Sequence, residues 1–530
     1  MRGGARVASE QVRIGIDVGG TNTDVVLMSG STVLASAKGF TTEDVSSGIV
    51  DTVTRVLDDW NGDRSAIGSV MIGTTQFVNA FVQRRDLAKV AAIRVSLPRG
   101  DGVPPMSGWP RDLRDELAAE SYMVGGGSYY TGKDYAPLDE DALIAAAEDA
   151  RAKKVQSIAI TANFAPMRPD IEERAAAVVR KVMPGADITL SSSVGGIGLI
   201  DRENATIINA SLAVLSRKVI SSFVRAFADL RIKAPIFISQ NDGTLISTEM
   251  ASRYPIFTCS AGPTNSIRGA AFLTGLSDAI VVDIGGTTTD IGFLLNDFPR
   301  ETTIANYIGG VRTNFRMPDV LSLGLGGGSI ISTGKNGALA IGPESVGYRL
   351  VERGLVFGGD TLTTTDIAVR AGSIALGDPA KVAHLPDATV NAAVDLIHAG
   401  IEEGIDKIKT SAAAMPLILV GGGGILVSRP LKGVSEVLRP RHSEVANAVG
   451  AAIARVSGRV DKLYDFEALG RDEALRIASR DAADAAIRAG ADPATVEIVD
   501  IVELPMTHMR TGCVQVRARA AGSLLQTANA

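Results

Sequence analysis

The chain has 530 residues, which is too long for one typical domain and predicts about three or four compact units. Hydrophobic residues make up 45% and charged residues 21%, a composition that excludes a disordered chain. The formal net charge of −6 argues against a nucleic-acid partner, because binding along a phosphate backbone requires clustered Lys and Arg.

The cysteines and the apolar runs exclude further classes. Cys259 and Cys513 lie far apart without CxxC spacing, so we predict neither a disulfide framework nor a cysteine zinc site. The opening segment MRGGARVASEQVRIGID lacks the apolar stretch of a signal peptide, and no run approaches the ~18 apolar residues that span a bilayer. We therefore expect a cytoplasmic protein with no membrane partner.

Strand-like and helix-like segments alternate along the chain, which predicts an α/β fold. The strand-like runs are RIGIDVGG, KVAAIRV, SIAITANF, PIFISQNDG, AIVVDIGG and PLILVGGGG. The segment DVSSGIVDTVTRVLDDW predicts a helix that lies on a sheet, with Thr42 or Asp44 as its N-cap. The apolar face of this helix consists of Ile49, Val53, Val56, Leu57 and Trp60.

We predict three regions, with boundaries at about residues 195 and 460. Region 1–195 contains the first glycine-rich loop, and region 196–460 contains a second. In the tail, 461–530, the helical segment RDEALRIASRDAADAAIRAG leads into the alternating strand pattern ATVEIVDIVELPM, which predicts a small α+β segment.

The two glycine-rich loops are near copies of each other. DVGGTNTD, from Asp17 to Asp24, and DIGGTTTD, from Asp283 to Asp290, share six of eight residues, and each follows an apolar run. Glycine pairs let backbone N–H groups approach an anion closely, and Thr hydroxyls add donors. A carboxylate at the end of a strand can hold Mg²⁺ directly or through water.

The duplication predicts a two-sided clamp on the phosphates of a nucleotide. We assign Asp17 and Asp283 to Mg²⁺ and to orienting the nucleophile, whereas Asp24 and Asp290 are expected to stabilise their own turns. The predicted phosphate-binding residues are Gly19, Gly20, Thr21, Asn22, Thr23, Gly285, Gly286, Thr287, Thr288 and Thr289.

The chain after each loop distinguishes between architectures. A Rossmann or P-loop site needs a helix at the glycines, but TNTDVVLMSGSTVLASAKG predicts two strands with a turn at residues 29–31. TTTDIGFLLNDFPRETTI likewise predicts a strand, a turn at Asn296 and Asp297, and a second strand. This strand-turn-strand loop, used twice, resembles the actin-like ATPase superfamily of sugar kinases, acetate kinase and actin.

That superfamily implies an adenosine-binding turn and two helices that connect the domains. VGGGGILV fits the turn, and SEVANAVGAAIARVSG resembles the second connecting helix. NATIINASLAVL, which starts at Asn204, lies where the first connecting helix is expected. The residues predicted for the adenosine side are Gly421, Gly422, Gly423 and Gly424.

At finer detail the chain resembles the ATP-binding A-type subunit of the hydantoinase/oxoprolinase family. The motifs that carry the resemblance run from about residue 12 to 456 and include IGIDVGGTNTDVVLM, IGTTQFVNAFVQRRDLAKVA, SSSVGGIGLIDRENATIINASL, ISQNDGTLIS, SAGPTNSIRGAAFLTG, VVDIGGTTTDIG, LGLGGGSI, VGGGGILV and ANAVGAA. The resemblance implies two related actin-like, ribonuclease H-like domains with the nucleotide between them.

The sequence departs from the family at two places. IGPESVGYRLVERGLVFGGDTLTTTDIA, around Gly342 to Asp360, lacks the usual Pro-Gly-Pro-x-Cys-Tyr-Gly centre, and QNDGT replaces an expected Gln-Ser-Asp-Gly-Gly. The run LGLGGGSI has Ser329 where a dinucleotide motif needs Gly or Ala, so we interpret it as a flexible loop near the nucleotide or substrate cleft.

The resemblance implies an ATP-dependent and Mg²⁺-dependent hydrolase subunit. It would phosphorylate the carbonyl oxygen of a small cyclic amide, and a second hydrolase subunit in a hetero-oligomer would complete ring opening. A small-molecule kinase and a non-catalytic ATP-driven switch are the alternatives. A self-sufficient metallohydrolase is disfavoured, because His384, His398, His442 and His508 show no HxH or HExxH spacing.

Overall fold

The computed structural model describes residues 11–41, 45–295, 298–300, 302, 306–313, 317–334, 338–506 and 512–525. They form an α/β fold with three main sheets. The strands are β1 Val12–Val18, β2 Asn22–Ser29, β3 Thr32–Phe40, β4 Ile67–Thr74, β5 Val90–Leu97, β6 Glu120–Gly125, β7 Ser157–Ala162, β8 Asp187–Leu190, β9 Ile236–Ser239, β10 Leu245–Ser247, β11 Ala279–Ile284, β12 Thr289–Leu295, β13 Phe298–Pro299, β14 Asn306–Ile308, β15 Val311–Thr313, β16 Val320–Leu323, β17 Ser329–Thr333, β18 Leu339–Ser345, β19 Met415–Val420, β20 Val434–Leu438, β21 Val456–Asp465, β22 Glu497–Pro505 and β23 Cys513–Gly522.

The helices lie on the faces of these sheets and between them. They are α1 Val45–Trp60, α2 Gln76–Val82, α3 Arg111–Glu116, α4 Glu140–Ala152, α5 Pro169–Val182, α6 Leu199–Asp229, α7 Thr248–Arg253, α8 Ala261–Thr274, α9 Leu350–Arg353, α10 Thr364–Arg370, α11 Asp387–Ile408, α12 Ala446–Ala452, α13 Phe466–Leu469 and α14 Arg471–Arg488.

Two of the sheets share one topology. In the nine-stranded sheet, β1, β2 and β3 form an antiparallel meander, and β1 pairs in parallel with β4 on its other side. In the six-stranded sheet, β12 pairs antiparallel with β11 and with β13 and β16, and β11 pairs in parallel with β19. Each half therefore has an antiparallel hairpin beside a parallel strand, as the duplicated loops predict.

The predicted hairpins and the predicted first helix are present. The turn at residues 29–31 joins β2 to β3, with Gly30 at a φ of 55° that favours glycine. Strands β12 and β13 flank the second predicted turn, whose residues Asn296 and Asp297 lie outside the described residues. Helix α1 covers the predicted segment and buries Ile49 and Val53, whereas the predicted N-cap residues lie outside the described part.

A smaller sheet lies inside the first region. Its strands run parallel in the order β6-β5-β7-β8 and are covered by α4 and α5. Helix α6 packs against β7 and β8. By length and composition alone α6 is long and apolar enough to cross a membrane, but 61% of its apolar window is buried inside the fold. Burial of this kind is usual for the core helix of a soluble protein.

The C-terminal tail extends the nine-stranded sheet. Val456 of β21 pairs in parallel with Leu245 of β10, and β23 and β22 follow. Helix α14 and strand β22 occur where the tail sequence predicts a helix and a strand. Alanines of α14 are buried against β21 and β23, where small side chains allow close packing. The boundaries at residues 195 and 460 stay predictions about sequence segments.

The connecting helices are α8 and α12. Helix α8 leads from β10 of the first sheet to β11 of the second, and α12 leads back from β20 to β21. Their backbones touch: a Cβ on Gly269 would lie 1.8 Å from the Ala446 carbonyl oxygen, and a Cβ on Gly450 would lie 1.9 Å from the Asn265 oxygen. The placement of the first connecting helix at Asn204 is wrong, because Asn204 lies in α6, which packs on the small parallel sheet.

Candidate nucleotide and metal site

The two duplicated loops have the same backbone geometry. Gly19 N–H donates to the Asn22 carbonyl at 2.9 Å, and Gly285 N–H donates to the Thr288 carbonyl at 2.8 Å. Each loop therefore closes with the same tight turn between antiparallel strands. The aspartates that flank the turns are paired in register, Asp17 opposite Asp24 and Asp283 opposite Asp290.

The loops approach each other across the two halves of the molecule. A Cβ on Gly286 would lie 3.1 Å from Thr21 Cγ2. The charges of Asp17 and Asp283 are close enough for Asp283 to raise the pKa of Asp17. The structure thus brings the predicted loops together as two sides of one cleft, with an aspartate at the base of each.

Asp17 lies in a network that joins four elements, β1, β2, β3 and α12. Asn447 Nδ2, at the start of α12, donates to Asp17 Oδ2 at 3.0 Å and to Asp24 Oδ2 at 2.9 Å. Lys38 Nζ of β3 lies 2.6 Å from Asp24 Oδ1. Burial, followed by the charges of Asp24 and Asp283, raises the pKa of Asp17 from its ordinary 3.8 to about 7.

Asp283 has a different partner in the second half. Ser266 Oγ of α8 donates to Asp283 Oδ2 at 2.5 Å. Burial raises the pKa of Asp283, and the Ser266 hydroxyl opposes that rise. Asp290 accepts a hydrogen bond from the hydroxyl of Ser322 in the neighbouring strand β16, and burial raises its pKa to about 6. Asp24 and Asp290 therefore both bind side chains of adjacent strands.

Asn265 adds unsatisfied polar atoms beside Asp17. Its side chain is fully buried, and within the described residues neither its Oδ1 nor its Nδ2 has a hydrogen-bond partner, nor does Asp17 Oδ1. A Cβ on Gly73 would lie 2.6 Å from Asn265 Nδ2 and 2.6 Å from Asp17 Oδ1, so one water molecule can reach both atoms. Buried polar atoms rarely stay unpaired, so this pair fits a bound water or a hydrated ion.

The donor set fits Mg²⁺ held through water. Within the described residues, no group of three or more His, Cys, Asp or Glu side chains is placed to hold a metal ion. Mg²⁺ usually keeps several water ligands and takes one or two carboxylates together with phosphate oxygens. The carboxylates of Asp17 and Asp283 suit this kind of binding, in which Mg²⁺ keeps water ligands and takes one or two carboxylates together with phosphate oxygens.

The threonines of the loops divide into two kinds. Thr23 Oγ1 lies 3.3 Å from the hydroxyl of Thr41, and Thr289 Oγ1 donates to the Leu325 carbonyl at 2.6 Å. These two side chains are buried, so their hydroxyls stabilise the loops. The less buried hydroxyls, which remain available to phosphate oxygens, belong to Thr21, Thr287 and Thr288.

The run LGLGGGSI lies against the second loop. Gly327 N–H donates to the Gly285 carbonyl at 3.0 Å, and Gly328 N–H donates to the Gly286 carbonyl at 2.7 Å. A Cβ on Gly326 would lie 2.6 Å from the Thr287 nitrogen, so only glycine permits this approach. The run therefore lies beside the second predicted phosphate loop, and it is closely packed against that loop rather than flexible.

The segment that departs from the family also contacts the second loop. Val346 N–H donates to the Gly328 carbonyl at 2.9 Å, and a Cβ on Gly347 would lie 3.8 Å from Thr287 Cγ2. Tyr348 follows and is exposed. The residues in which this chain differs from the family pattern therefore lie beside the second predicted phosphate loop.

The predicted adenosine turn borders a second cleft. Gly421 has a φ of 82°, and a Cβ there would lie 2.2 Å from Asp283 Oδ1, so the turn lies against the Asp283 side chain. Gly423 is buried against Ile284, whereas the other three glycines line a cleft of about 590 Å³. The other polar residues that line it are Ser373, Ser428, Arg439, Ser443 and Glu444.

The histidines do not form a metal centre among the described residues. His398 is buried, has Nδ1 2.8 Å from the carbonyl oxygen one turn earlier, and accepts the Ser428 N–H on Nε2 at 3.1 Å. His384 is exposed, and His442 has a φ of 66° just before the turn that leads to α12. His508 lies outside the described residues.

The two halves carry the matching hairpin loops that the resemblance to the actin-like ATPase superfamily predicts. The hydantoinase/oxoprolinase N-terminal region matches residues 13–183, and the hydantoinase/oxoprolinase model matches residues 202–380. The chain belongs to the hydantoinase/oxoprolinase family.

Curated relatives are named as subunits of larger enzymes. The caprolactamase subunit alpha of Pseudomonas jessenii is 26% identical over 84% of this chain and 66% of its own length. The acetophenone carboxylase gamma subunit of Aromatoleum aromaticum is 25% identical over 68% of this chain and 53% of its own length. The chain thus spans about half to two thirds of these relatives.

Two solved structures share the whole fold. A nucleotide-free acetone carboxylase and the ATP-dependent caprolactamase of Pseudomonas jessenii each superpose with a TM-score of 0.75, at 18% and 21% identity. Each match covers 97% of this chain and 88% of the other chain. At this identity the match supports the fold and not a particular substrate.

Proposed function

We propose that this chain is the ATP-binding subunit of a hydrolase that phosphorylates the carbonyl oxygen of a small cyclic amide for ring opening. The observation that carries the proposal is the pair of matching loops that face each other, with Asp17 and Asp283 at their bases. Family membership and the similarity to a caprolactamase subunit favour a lactam, hydantoin or imide as the substrate class.

Amides need this activation because nitrogen donates electron density into the carbonyl group. When bound, ATP would supply the phosphoryl group and Mg²⁺ would offset its charge. Phosphorylation of the oxygen lets water add to the carbon, the ring nitrogen then leaves as an amine, and hydrolysis of the remaining acyl phosphate releases phosphate. The chain contributes position and charge. The backbone N–H groups of Gly20 and Gly286 would bind phosphate oxygens, because those of Gly19 and Gly285 already donate within their turns. Asp17 and Asp283 would hold the hydrated metal ion, and Lys38 would offset negative charge beside Asp24.

A partner subunit completes the reaction in this proposal. Two curated relatives are named as subunits. We therefore propose a hetero-oligomer in which the second subunit supplies the water that attacks the activated carbon.

Activation of a ketone is the second candidate. It is favoured by the similarity to the acetophenone carboxylase gamma subunit, and the same phosphorylation of a carbonyl oxygen would serve it. The amide is preferred because the caprolactamase relative aligns with more of this chain, 84% against 68%.

The test is phosphate release from ATP and Mg²⁺ by the protein, isolated together with any subunit that co-purifies. The panel contains lactams, hydantoins, imides, methyl ketones and simple polyols, and mass spectrometry follows the products. Stimulation by a cyclic amide supports the proposal. Stimulation by a ketone alone selects the second candidate, a stable phosphoester of a polyol shows a kinase, and slow hydrolysis that no compound changes shows a switch.

A further inference from the structure

A cleft of about 710 Å³ lies apart from the phosphate loops, between residues 192–196 and the C-terminal tail. The side of the cleft that the C-terminal tail forms consists of residues of β21, β22, β23 and α14. No residue of the two glycine-rich loops lines it. A volume of this size suits a small organic ligand.

The loop of residues 192–196, on the opposite side of the cleft from the tail, is held by two buried charged residues. The Glu172 carboxylate accepts the Ser192 N–H at 2.9 Å and the Ser191 hydroxyl at 2.5 Å. Arg202 donates to the Gly196 carbonyl and to Ser191 Oγ, each at 2.8 Å. Both charged side chains are fully buried, so the loop has a defined position before any ligand arrives.

The position of the cleft in the fold is one where ligands commonly bind. Residues 192–196 follow β8, and Pro166 on the same wall follows β7, so both lie at the carboxyl edge of the small parallel sheet. In open parallel sheets the loops at this edge form the usual ligand crevice. Here the C-terminal tail closes the crevice from the opposite side.

Most of the charged side chains in the cleft are already paired. Asp242, which is buried below it, accepts the guanidinium groups of Arg459 and Arg519. Although burial opposes the shift, these two arginines hold the pKa of Asp242 below its usual range. Two further pairs lie on the wall, Lys462 with Asp481 at 3.0 Å and Arg517 with Asp461 at 3.2 Å. Because the positive and negative side chains of the cleft balance each other, the cleft is unsuited to a polyanion such as a nucleotide.

Asp484 and Arg488 differ from these pairs. They lie four residues apart on α14, line the cleft and are exposed. Within the described part of the chain neither forms an ion pair. The cleft thus presents one uncommitted carboxylate beside one uncommitted guanidinium, with Val460, Ala485 and Ala518 as apolar lining between polar groups.

We propose that this cleft binds a small zwitterionic amino acid, with its ammonium group on Asp484 and its carboxylate on Arg488. Methylene groups of the ligand would contact the apolar lining. This ligand class rests on the proposed function, because hydrolysis of a lactam breaks the C–N bond and yields an amine and a carboxylate on one chain. The site would therefore bind the ring-opened product, separately from the phosphate loops.

The experiment measures equilibrium binding to the full chain by calorimetry without nucleotide, so it does not depend on ATP hydrolysis. The probes are ω-amino acids from γ-aminobutyrate to ε-aminohexanoate, with hexanoate, hexylammonium and caprolactam as matched compounds. We expect the amino acids to bind at least about tenfold more tightly than each matched compound, because only they satisfy both charges. Arg488→Gln and Asp484→Asn should each weaken binding about tenfold.

Arg480→Gln is the control variant, since Arg480 lies on the same helix outside the cleft and should leave binding unchanged. The assignment is overturned if no ω-amino acid binds, if hexanoate binds as tightly as aminohexanoate, or if the Arg480 variant loses as much affinity as the Arg488 variant. If cyclic amides do not stimulate phosphate release but ω-amino acids still bind, the proposed function is overturned and the assignment of the amino-acid site stands.

Discussion

The side-chain amide of Asn447 donates to two carboxylates, to Asp17 at 3.0 Å and to Asp24 at 2.9 Å. Asn447 lies on α12, which begins more than 400 residues after these aspartates. The contact ties α12, which returns from the second half, to both ends of the first phosphate loop. It also offsets the repulsion between two buried carboxylates, because the amide hydrogens lie between them.

Asn447→Ala should therefore impair both the fold and the site. We expect a loss of about 1–3 kcal/mol in the free energy of unfolding, because two buried acceptors lose their donor. We also expect weaker binding of Mg²⁺ and nucleotide. Denaturant unfolding and nucleotide titration measure the two effects. Asn391→Ala, at an exposed position of α11, is the control, and equal behaviour of the two variants would contradict this role.

The raised pKa of Asp17 predicts a stability that falls with pH in the nucleotide-free protein. Because the folded pKa of about 7 lies above the ordinary 3.8, the folded state binds the proton more tightly, so stability declines as pH rises from 3.8 to about 7 and levels off above. Asp17→Asn should remove the part of this decline that Asp17 contributes, whereas Asp283 and Asp290, whose pKa values are also raised, keep theirs. The variant should therefore gain stability relative to wild type as pH rises from 3.8 to about 7, yet fail to hydrolyse ATP. A stability difference between variant and wild type that stays constant over this window would contradict the prediction.

The crossing of α8 and α12 predicts opposite effects for two helical glycines. Gly450→Ala should destabilise the protein by about 1–3 kcal/mol or more, because the new Cβ would lie 1.9 Å from the Asn265 carbonyl oxygen. Gly400→Ala in α11 meets no atom within 4 Å and should stabilise by about 0.5–1 kcal/mol through helix propensity. Thermal unfolding compares the two, and equal shifts would show that the crossing is not tightly packed.

Asp283→Ala should abolish ATP hydrolysis and leave the fold intact. The residue has few stabilising contacts to lose, and its buried charge is unfavourable without a metal ion. Circular dichroism and thermal unfolding report the fold, and phosphate release reports activity. Ser322→Ala, which removes the donor to Asp290 on the neighbouring strand, should keep most of the activity. A folded Asp283→Ala variant with full activity would contradict the assignment.

The loops could be predicted because their signal is local. A glycine pair after an apolar run, followed by a strand and a turn, specifies a hairpin within about 20 residues of chain. The repeat of that signal then predicts two related halves. The family match and the superposition with two solved structures confirm the family and the α/β architecture that these motifs indicated.

Lys38 could not be predicted, because its position depends on a bulge. Counting back from the pairing of Ser29 with Thr32, an unbroken register would place Ala37 opposite Asp24. A register shift between Leu27 and Met28 makes Lys38 the partner and turns its side chain toward the aspartates. Sequence patterns with a period of two do not reveal such a shift.

Asn265, Ser266 and Asn447 escaped prediction for a different reason. Ser266 and Asn447 contact the aspartates, and Asn265 lies beside Asp17, only because of how α8 and α12 cross, which is a property of tertiary packing. The assignment of the first connecting helix to Asn204 failed for the same reason, since the long apolar pattern of α6 suits any core helix. The sequence did offer one signal for Asn447, because it is a polar residue within the small-residue segment ANAVGAA.

The most direct test of the central claim uses a lactam whose carbonyl oxygen is labelled with heavy oxygen. The protein, with any co-purifying subunit, is supplied with ATP, Mg²⁺ and the labelled lactam, and mass spectrometry determines where the label goes. If the carbonyl oxygen attacks the terminal phosphorus, water then adds to the carbon and the C–N bond breaks, which leaves an acyl phosphate. When a second water attacks the carbon of that acyl phosphate and its C–O bond breaks, each inorganic phosphate released carries one labelled oxygen. Unlabelled phosphate, with the label retained in the carboxylate product, would contradict phosphorylation of the amide oxygen.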